Sequence, residues 1–143
     1  MILTLQRYIT SDNQFPSFKA QWDKLQNKED LDKNALLLIA KVSELLSRMG
    51  NPDITVTSGW RPLAHNLAIG GSKNSHHVWA RAIDIWDPKK ILGKWCMDNI
   101  EALREIGLYM ESLVKTHASE DEEERWLHLQ SVPPPSKNIV FIP

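Results

Sequence analysis

Apolar and polar residues follow two different periods along this chain, and the periods divide it into predicted helices and strands. Between Asp32 and Met49, apolar residues recur at three- and four-residue steps, the period of a helix with one buried face. Gly50 ends that helix. Residues 54–58 then alternate apolar and polar side chains, which is typical of a half-buried strand.

The second half of the chain contains more short strands. Residues 59–75 hold two adjacent glycines and several small polar residues, which predicts a long ordered loop. Asp87 and Pro88 begin a predicted helix that Gly107 ends. The order of elements predicts an α+β domain with a small antiparallel sheet and helices packed on it. The strands of this half are predicted at 82–86, 108–111, 126–130 and 139–142.

Length and charge limit the class of protein. A chain of 143 residues is enough for one domain, 1–143, and we expect residues 1–30 to be an extension packed on it through Phe15, Phe18 and Trp22. A net charge of −1 argues against a dedicated nucleic-acid binder. No apolar run reaches the roughly 20 residues of a membrane span, and the first residues do not resemble a signal peptide.

Cysteine and histidine determine which metal sites are possible. Cys96 is the single cysteine, so an internal disulfide and a multi-cysteine zinc site are both excluded. Its spacing from Leu92 and Ile100 predicts a buried position on a helix. A bound metal would therefore need histidines and carboxylates as ligands. The chain has five histidines: His65, His76, His77, His117 and His128.

Two of these histidines and one aspartate form the candidate metal site. His77 precedes Asp84 by seven residues, about 20 Å if extended, so the chain between them must turn back for both to bind one metal. His128 alternates with two leucines in a predicted strand and points away from them. Two histidines and one carboxylate would leave a zinc ion one open position, as in hydrolytic sites. On spacing alone, hydrogen-bonded core residues are the commoner explanation.

Three separated motifs occur in a fixed order. They are Ser58-Gly59-Trp60-Arg61, Ser75-His76-His77-Val78-Trp79-Ala80-Arg81-Ala82-Ile83-Asp84 and Trp126-Leu127-His128. Together they resemble the zinc D-Ala-D-Ala carboxypeptidase family, which includes L-Ala-D-Glu endopeptidases and has the Hedgehog/DD-peptidase fold. The central family pattern is Ser-x-His-x-x-Gly-x-Ala-x-Asp. Ala80 replaces its glycine, which would introduce strain if that position has a positive φ.

The resemblance implies a role for each motif residue. His77, Asp84 and His128 would be the zinc ligands, and His65, His76 and His117 would not. Arg61 would stabilise a developing oxyanion or hold a peptide carboxylate. The substrate-binding candidates are Ser75, Trp60 and Asn66, although Ser75 could merely cap a turn and Asn66 could shape the loop. Trp60 and Trp79 are candidate walls of the cleft, with core packing the alternative for Trp79.

The general base is the second departure from the family pattern. Many members carry an acidic residue three positions before the last histidine, where this chain has Arg125, which cannot act as a base. Glu124 is one position further back. Glu111 lies in a strand that could pair antiparallel with the His128 strand and reach the site from across the sheet. We expect Glu111 to be the base, with Glu124 the alternative.

The resemblance implies a zinc-dependent peptidase that cleaves the peptide stem of peptidoglycan, either as a carboxypeptidase or as an endopeptidase. Since no export signal is visible, we expect the chain to be made in the cytoplasm and to act after release as a phage lysin or as a virion component. We expect neither nucleic acid nor membrane as a partner, and the oligomeric state is open. The alternative is a non-catalytic zinc-binding phage module, which Arg125 favours.

Overall fold

A computed structural model describes residues 2–143 of the chain. Within this range the helices are α1 (Leu5–Thr10), α2 (Ser17–Asp23), α3 (Lys28–Arg48), α4 (Leu63–Ala68), α5 (Ile91–Asp98), α6 (Ile100–Ile106) and α7 (Leu113–Thr116), with a 3₁₀ helix at Glu122–Glu124. The strands are β1 (Val56–Ser58), β2 (Ala82–Trp86), β3 (Tyr109–Glu111), β4 (Trp126–Gln130) and β5 (Val140–Phe141). None of the helices in the described range is both long and apolar enough to cross a membrane.

The five strands form one mixed sheet in the order β1-β2-β4-β3-β5. The pairs β1–β2, β2–β4 and β3–β4 are antiparallel, as predicted, whereas β5 joins the free edge of β3 in parallel. The chain reverses direction after β4, which is itself antiparallel to β3, so the returning segment must run parallel to β3. The α+β class is confirmed, and the fifth strand makes the sheet mixed rather than wholly antiparallel.

The predicted amphipathic helix supplies one side of the core. The stripe read from the sequence, Ala35, Leu38, Val42 and Leu45, is fully buried in α3. It belongs to the same apolar cluster as the inward side chains of β2 and β4. The helix begins four residues earlier than predicted, and Glu29 and Asp30 in its first turn complement the helix dipole.

The first thirty residues contribute helices that the sequence analysis did not predict. Tyr8 and Ile9 of α1 and Trp22 of α2 are buried in the common core, and the Tyr8 hydroxyl donates to Ala82 O at 2.9 Å. A left-handed turn at Ser11, Asp12 and Asn13 follows α1, with φ values of 51°, 52° and 67°. The Asp12 carboxylate accepts from the Val56 amide at 2.6 Å, which ties this turn to β1.

Two predicted boundaries are wrong. The loop predicted over 59–75 contains α4, whose apolar residues Leu63 and Leu67 are half exposed, so no buried apolar stripe marks this helix. The helix predicted between Asp87 and Gly107 is divided at Asn99 into α5 and α6. The Asn99 amide donates to Cys96 O and its side chain to Trp95 O, which closes the last turn of α5.

Candidate metal centre

Three predicted ligands from separate parts of the chain come together at the centre of the sheet. One ligand atom each from His77, Asp84 and His128 lies within 4.8 Å of the others. Asp84 and His128 are cross-strand partners in β2 and β4, while Leu127 and Leu129 face the core on the opposite side. The sheet register therefore produces two of the three positions.

A tight turn produces the third position. The Val78 and Arg81 amides donate to Ser75 O and His76 O, so the chain folds back between His77 and β2. Ala80 completes the turn with a φ of 57°, in the left-handed region. The position of the family glycine thus does have a positive φ, and the alanine costs roughly 1–2 kcal/mol of backbone strain there.

Neighbouring acceptors fix which ring nitrogen of each histidine faces Asp84. His77 Nδ1 lies 2.8 Å from Gly59 O, which can only accept, so Nδ1 carries a hydrogen and Nε2 lies toward Asp84, 3.4 Å from Oδ2. The Gln130 amide nitrogen donates to Val132 O, so its oxygen accepts from His128 Nε2 at 3.0 Å. His128 Nδ1 then faces Asp84 Oδ1 at 2.7 Å.

Opposing effects act on the pKa values of this cluster. Burial alone would raise the pKa of Asp84, but the facing rings of His77 and His128 hold it well below its usual range. Burial alone would lower the pKa of His128, but its hydrogen bond to Asp84 and the charge of that carboxylate raise it. The site therefore favours a carboxylate facing positive charge.

The donor set fits a zinc ion. With both rings neutral, lone pairs of His77 Nε2, His128 Nδ1 and the Asp84 carboxylate converge, so a proton or a cation must lie among them. The 3.4 Å between His77 Nε2 and Asp84 Oδ2 is close to the ~3.3–3.5 Å that tetrahedral zinc bonds of about 2.0–2.2 Å require. The backbone and amide acceptors behind the rings are the outer contacts that metal-binding histidines need.

Glu111 lies beside this cluster. β3 pairs antiparallel with β4 through Met110 and Leu129, and continuing this register by one residue brings Glu111 opposite His128. The Glu111 side chain is largely buried, lines the same cleft as His77 and His128, and its charge helps to raise the pKa of His128. Glu124 is exposed on the 3₁₀ helix and accepts from the Ser119 hydroxyl at 2.8 Å, outside the residues that line the cleft. Of the two candidate bases, Glu111 lines the cleft and Glu124 does not.

Arg61 lies beside Asp84. Its Nη2 lies 3.5 Å from Asp84 Oδ2, its Nε donates to Ser58 Oγ at 2.8 Å and its Nη1 donates to Asn66 Oδ1 at 3.2 Å. Asn66 is fully buried and donates to Ser72 O at 2.6 Å. Asn66 is therefore a positioning residue for Arg61 and does not line the cleft, and its direct contact with substrate stays a prediction.

An open cleft of about 760 Å³ lies in front of the cluster. Such a volume is within the ~300–1,000 Å³ of small-ligand sites. Its lining combines sheet residues with the C-terminal segment, which was predicted only to break the chain and to form an edge strand. The lining includes Ser75, His77, Glu111, Lys115, His128, Gln130, Pro134, Pro135, Ser136 and Phe141.

The family model described as Peptidase M15 matches residues 14–116. The chain belongs to the Peptidase M15 family. The zinc D-Ala-D-Ala carboxypeptidase of Streptomyces albus G is 36% identical to it over 52 residues, a stretch that covers 36% of this chain and 20% of that protein. No solved structure matches the chain. The resemblance that the three motifs indicated is confirmed at the level of the family.

The M15 match ends before β4, so His128 and Gln130 lie beyond it. Gln130 is nevertheless 3% exposed and contacts the ring of His128. Gln130 is not among the residues predicted for the site. Strand alternation could have found it, because residues 128 and 130 point to the same face of β4.

The remaining predicted substrate contacts of this M15 protein divide into two groups. Ser75 lines the cleft, and its hydroxyl also accepts from the His77 amide at 3.2 Å, so both of its predicted roles are compatible with the structure. Trp60 is only 2% exposed, packs edge-to-face on Trp22 and donates to Val78 O, so its prediction as a cleft wall is wrong. Trp79 is 42% exposed and does not line the cleft, so neither prediction for it holds.

The other histidines and the cysteine lie outside the ligand cluster. His65 packs on Phe15 and Phe18, and His117 is buried beside Asp87. His76 lines the cleft, and its buried Nδ1 has no hydrogen-bond partner among the described residues. Cys96 is fully buried, as predicted, and burial together with the charge of Asp87 raises the pKa of its thiol to about 12. That thiol is therefore protonated at neutral pH.

Proposed function

We propose that this chain is a zinc-dependent peptidase that hydrolyses peptide bonds in the stem peptides of peptidoglycan. The observation that carries the proposal is the convergence of His77, Asp84 and His128 beside Glu111 in one open cleft. Membership of the M15 family and the similarity to the zinc D-Ala-D-Ala carboxypeptidase of Streptomyces albus G support the same reaction class.

His77, Asp84 and His128 would hold the metal. A zinc ion bound by these residues would polarise the scissile carbonyl and make water a nucleophile near neutral pH. The Gly59 carbonyl and the Gln130 amide oxygen keep both imidazoles in the tautomers that direct a lone pair at the metal position.

Glu111 would move the proton. Among the described residues that line the cleft, Glu111 has the one acidic side chain, and it lies opposite His128 across the β3–β4 pair. A carboxylate oxygen there would accept the proton of the attacking water and return it to the leaving amine. Arg61 would support negative charge on the substrate oxygen, oriented by Ser58 and Asn66.

Mass spectrometry of purified muropeptides tests the proposal. The protein is loaded with zinc, its metal content is measured, and the muropeptides are analysed before and after incubation. We expect one zinc per chain and loss of a defined mass, which also distinguishes removal of a terminal residue from internal cleavage. His77→Ala should lose both the zinc and the cleavage, whereas His65→Ala, which changes a histidine outside the cluster, should keep both.

Failure has two distinct forms in this experiment. Zinc bound by the wild type without cleavage of any muropeptide would contradict the peptidase and support the non-catalytic zinc module. A chain that binds no zinc would contradict both. Action after release as a phage lysin, or as a virion component, stays a prediction.

A further inference from the structure

Lys115 is a cleft residue that the proposed reaction does not use. It lies on α7, four residues after Glu111, and it lines the cleft together with Glu111, His128 and Phe141. Among the cleft-lining residues that the structure describes, it is the one lysine or arginine. A cationic residue therefore lines the same cleft as the proposed base.

A buried network fixes the backbone that carries this lysine. Thr116 and His117, which follow it directly, are buried. His117 Nε2 lies 2.7 Å from Asp87 Oδ2, and its Nδ1 lies 2.8 Å from Thr116 Oγ1. Asp87 also accepts from the amides of Leu92 and Gly93 at the start of α5. A helix of only four residues is thus anchored to the end of β2 and to α5.

The ammonium itself stays available. Lys115 is exposed, and its side chain makes no ion pair or hydrogen bond with any residue from 2 to 143. Lys94, by contrast, is paired with Asp98 at 2.6 Å on the surface of α5, away from the cleft lining. An anchored backbone with an unpaired cation facing a cleft is suited to receive an anionic group of a ligand.

We propose that Lys115 binds a free carboxylate of the peptide substrate and makes the cleft selective for acidic peptides. The proposal rests on the proposed function, because it assigns the class of peptide that the same cleft accepts. A carboxylate bound by Lys115 would lie in the same cleft as Glu111, so the ammonium would also offset repulsion between that buried carboxylate and the substrate.

Substrate amidation combined with mutation tests this recognition. The muropeptide that the wild type cleaves is compared with the same muropeptide after conversion of its carboxylates to amides. We expect amidation to raise the KM of the wild type roughly three- to tenfold, with kcat little changed, as a single partly exposed ion pair implies. Lys115→Ala should show the same raised KM with the unmodified acidic muropeptide. Its KM values for the acidic and the amidated muropeptide should therefore be equal. Lys94→Ala removes the same charge elsewhere and should behave as the wild type.

Binding without turnover separates this inference from the proposed function. The same acid and amide peptides are titrated calorimetrically into zinc-loaded wild type and Lys115→Ala, each also carrying Glu111→Gln, and thermal unfolding checks that every variant is folded. Tighter binding of the acid peptide than of the amide peptide, lost in Lys115→Ala, supports the inference. This result would hold even if the chain cleaves no muropeptide. Equal binding of acid and amide by the Lys115-containing protein, or a preference that survives Lys115→Ala, would overturn it while leaving the peptidase proposal intact.

Discussion

Gly59 lies directly against the backbone carbonyl of Tyr8. A Cβ added to Gly59 would lie 1.8 Å from Tyr8 O, a distance at which the backbone must move. The same segment is tied to the N-terminal turn, because the Gly59 amide donates to Ser11 Oγ at 3.0 Å and the Trp60 amide to Tyr8 O at 3.1 Å. The Gly59 carbonyl in turn accepts from His77 Nδ1. The packing of Gly59 on α1 therefore helps to fix the position of His77, a proposed metal ligand.

Gly59→Ala should damage the metal site more than the rest of the fold. The added methyl must displace Gly59 from Tyr8, so the Gly59 carbonyl no longer fixes the ring of His77. We expect the free energy of unfolding to fall by about 3 kcal/mol. Zinc binding should weaken roughly 10- to 100-fold. Chelator competition and urea unfolding measure the two effects. Gly50→Ala is the control, because it introduces strain at a φ of 90° with no atom near the new methyl, and it should leave zinc affinity unchanged. An unchanged zinc affinity in Gly59→Ala would contradict the role of the Gly59–Tyr8 contact in positioning His77.

Gln130 should determine the tautomer of His128. Its side-chain oxygen accepts from His128 Nε2, which leaves Nδ1 directed at Asp84. Gln130→Leu removes the acceptor and leaves a buried N–H unpaired, so we expect zinc affinity to fall about 10- to 100-fold. Gln130→Glu keeps an acceptor for His128 Nε2 but loses the donor to Val132 O, so it should retain most of the zinc affinity, measured by chelator competition at fixed pH, while losing stability. Equal loss of zinc affinity in both variants would show that the acceptor for His128 Nε2 does not determine the affinity.

The sequence predicted the parts of the site that depend on strand alternation and on local motifs. Residues 82–86 and 126–130 are strands with the predicted bounds, and their pairing brings Asp84 opposite His128. The pairing of β3 with β4, a possibility that favoured Glu111 as the base, brings that residue to the cleft. The face on which each strand side chain lies follows from a two-residue period, whereas the roles of these residues were implied by the motif resemblance.

The parts that were missed depend on contacts between distant segments. Trp60 and Asn66 were assigned to substrate because they lie within or near a motif, yet Trp60 packs on Trp22, and Asn66 turns inward to Arg61. The contact between Trp60 and Trp22 could not be predicted from the sequence, because α2 lacks an extended apolar stripe that would mark Trp22 as part of a buried face. The strain at Ala80 could be stated only as a condition, since φ is a property of the folded turn.

Asp87→Asn should change the pH dependence of stability. Burial alone would raise the pKa of Asp87, but its hydrogen bonds to His117 and to the amides of Gly93 and Leu92 lower it. A lowered folded-state pKa stabilises the fold fully above the unfolded pKa, near 4, and this contribution disappears as the pH falls through the folded pKa. At pH 6 we expect Asp87→Asn to lose about 1–3 kcal/mol in urea unfolding.

That deficit should narrow as the pH falls below about 4, because the wild type then becomes protonated at the same position. Asp98→Asn, which changes an exposed carboxylate paired with Lys94, should differ little from the wild type at either pH. A deficit of Asp87→Asn that stays constant from pH 6 to pH 3 would contradict the role of the carboxylate charge.

Glu111→Gln should separate metal binding from catalysis. The substitution keeps the size of a side chain that lies opposite His128 but removes its ability to accept a proton, so zinc should stay bound while muropeptide cleavage falls about 10²- to 10⁴-fold. Metal content and initial rates are measured on the same samples. Glu124→Gln is the matched control, because Glu124 is exposed outside the cleft lining, and it should retain wild-type rates. If the loss followed Glu124 instead, the base would have to reach the cleft from the 3₁₀ helix, and the assignment of Glu111 would be wrong.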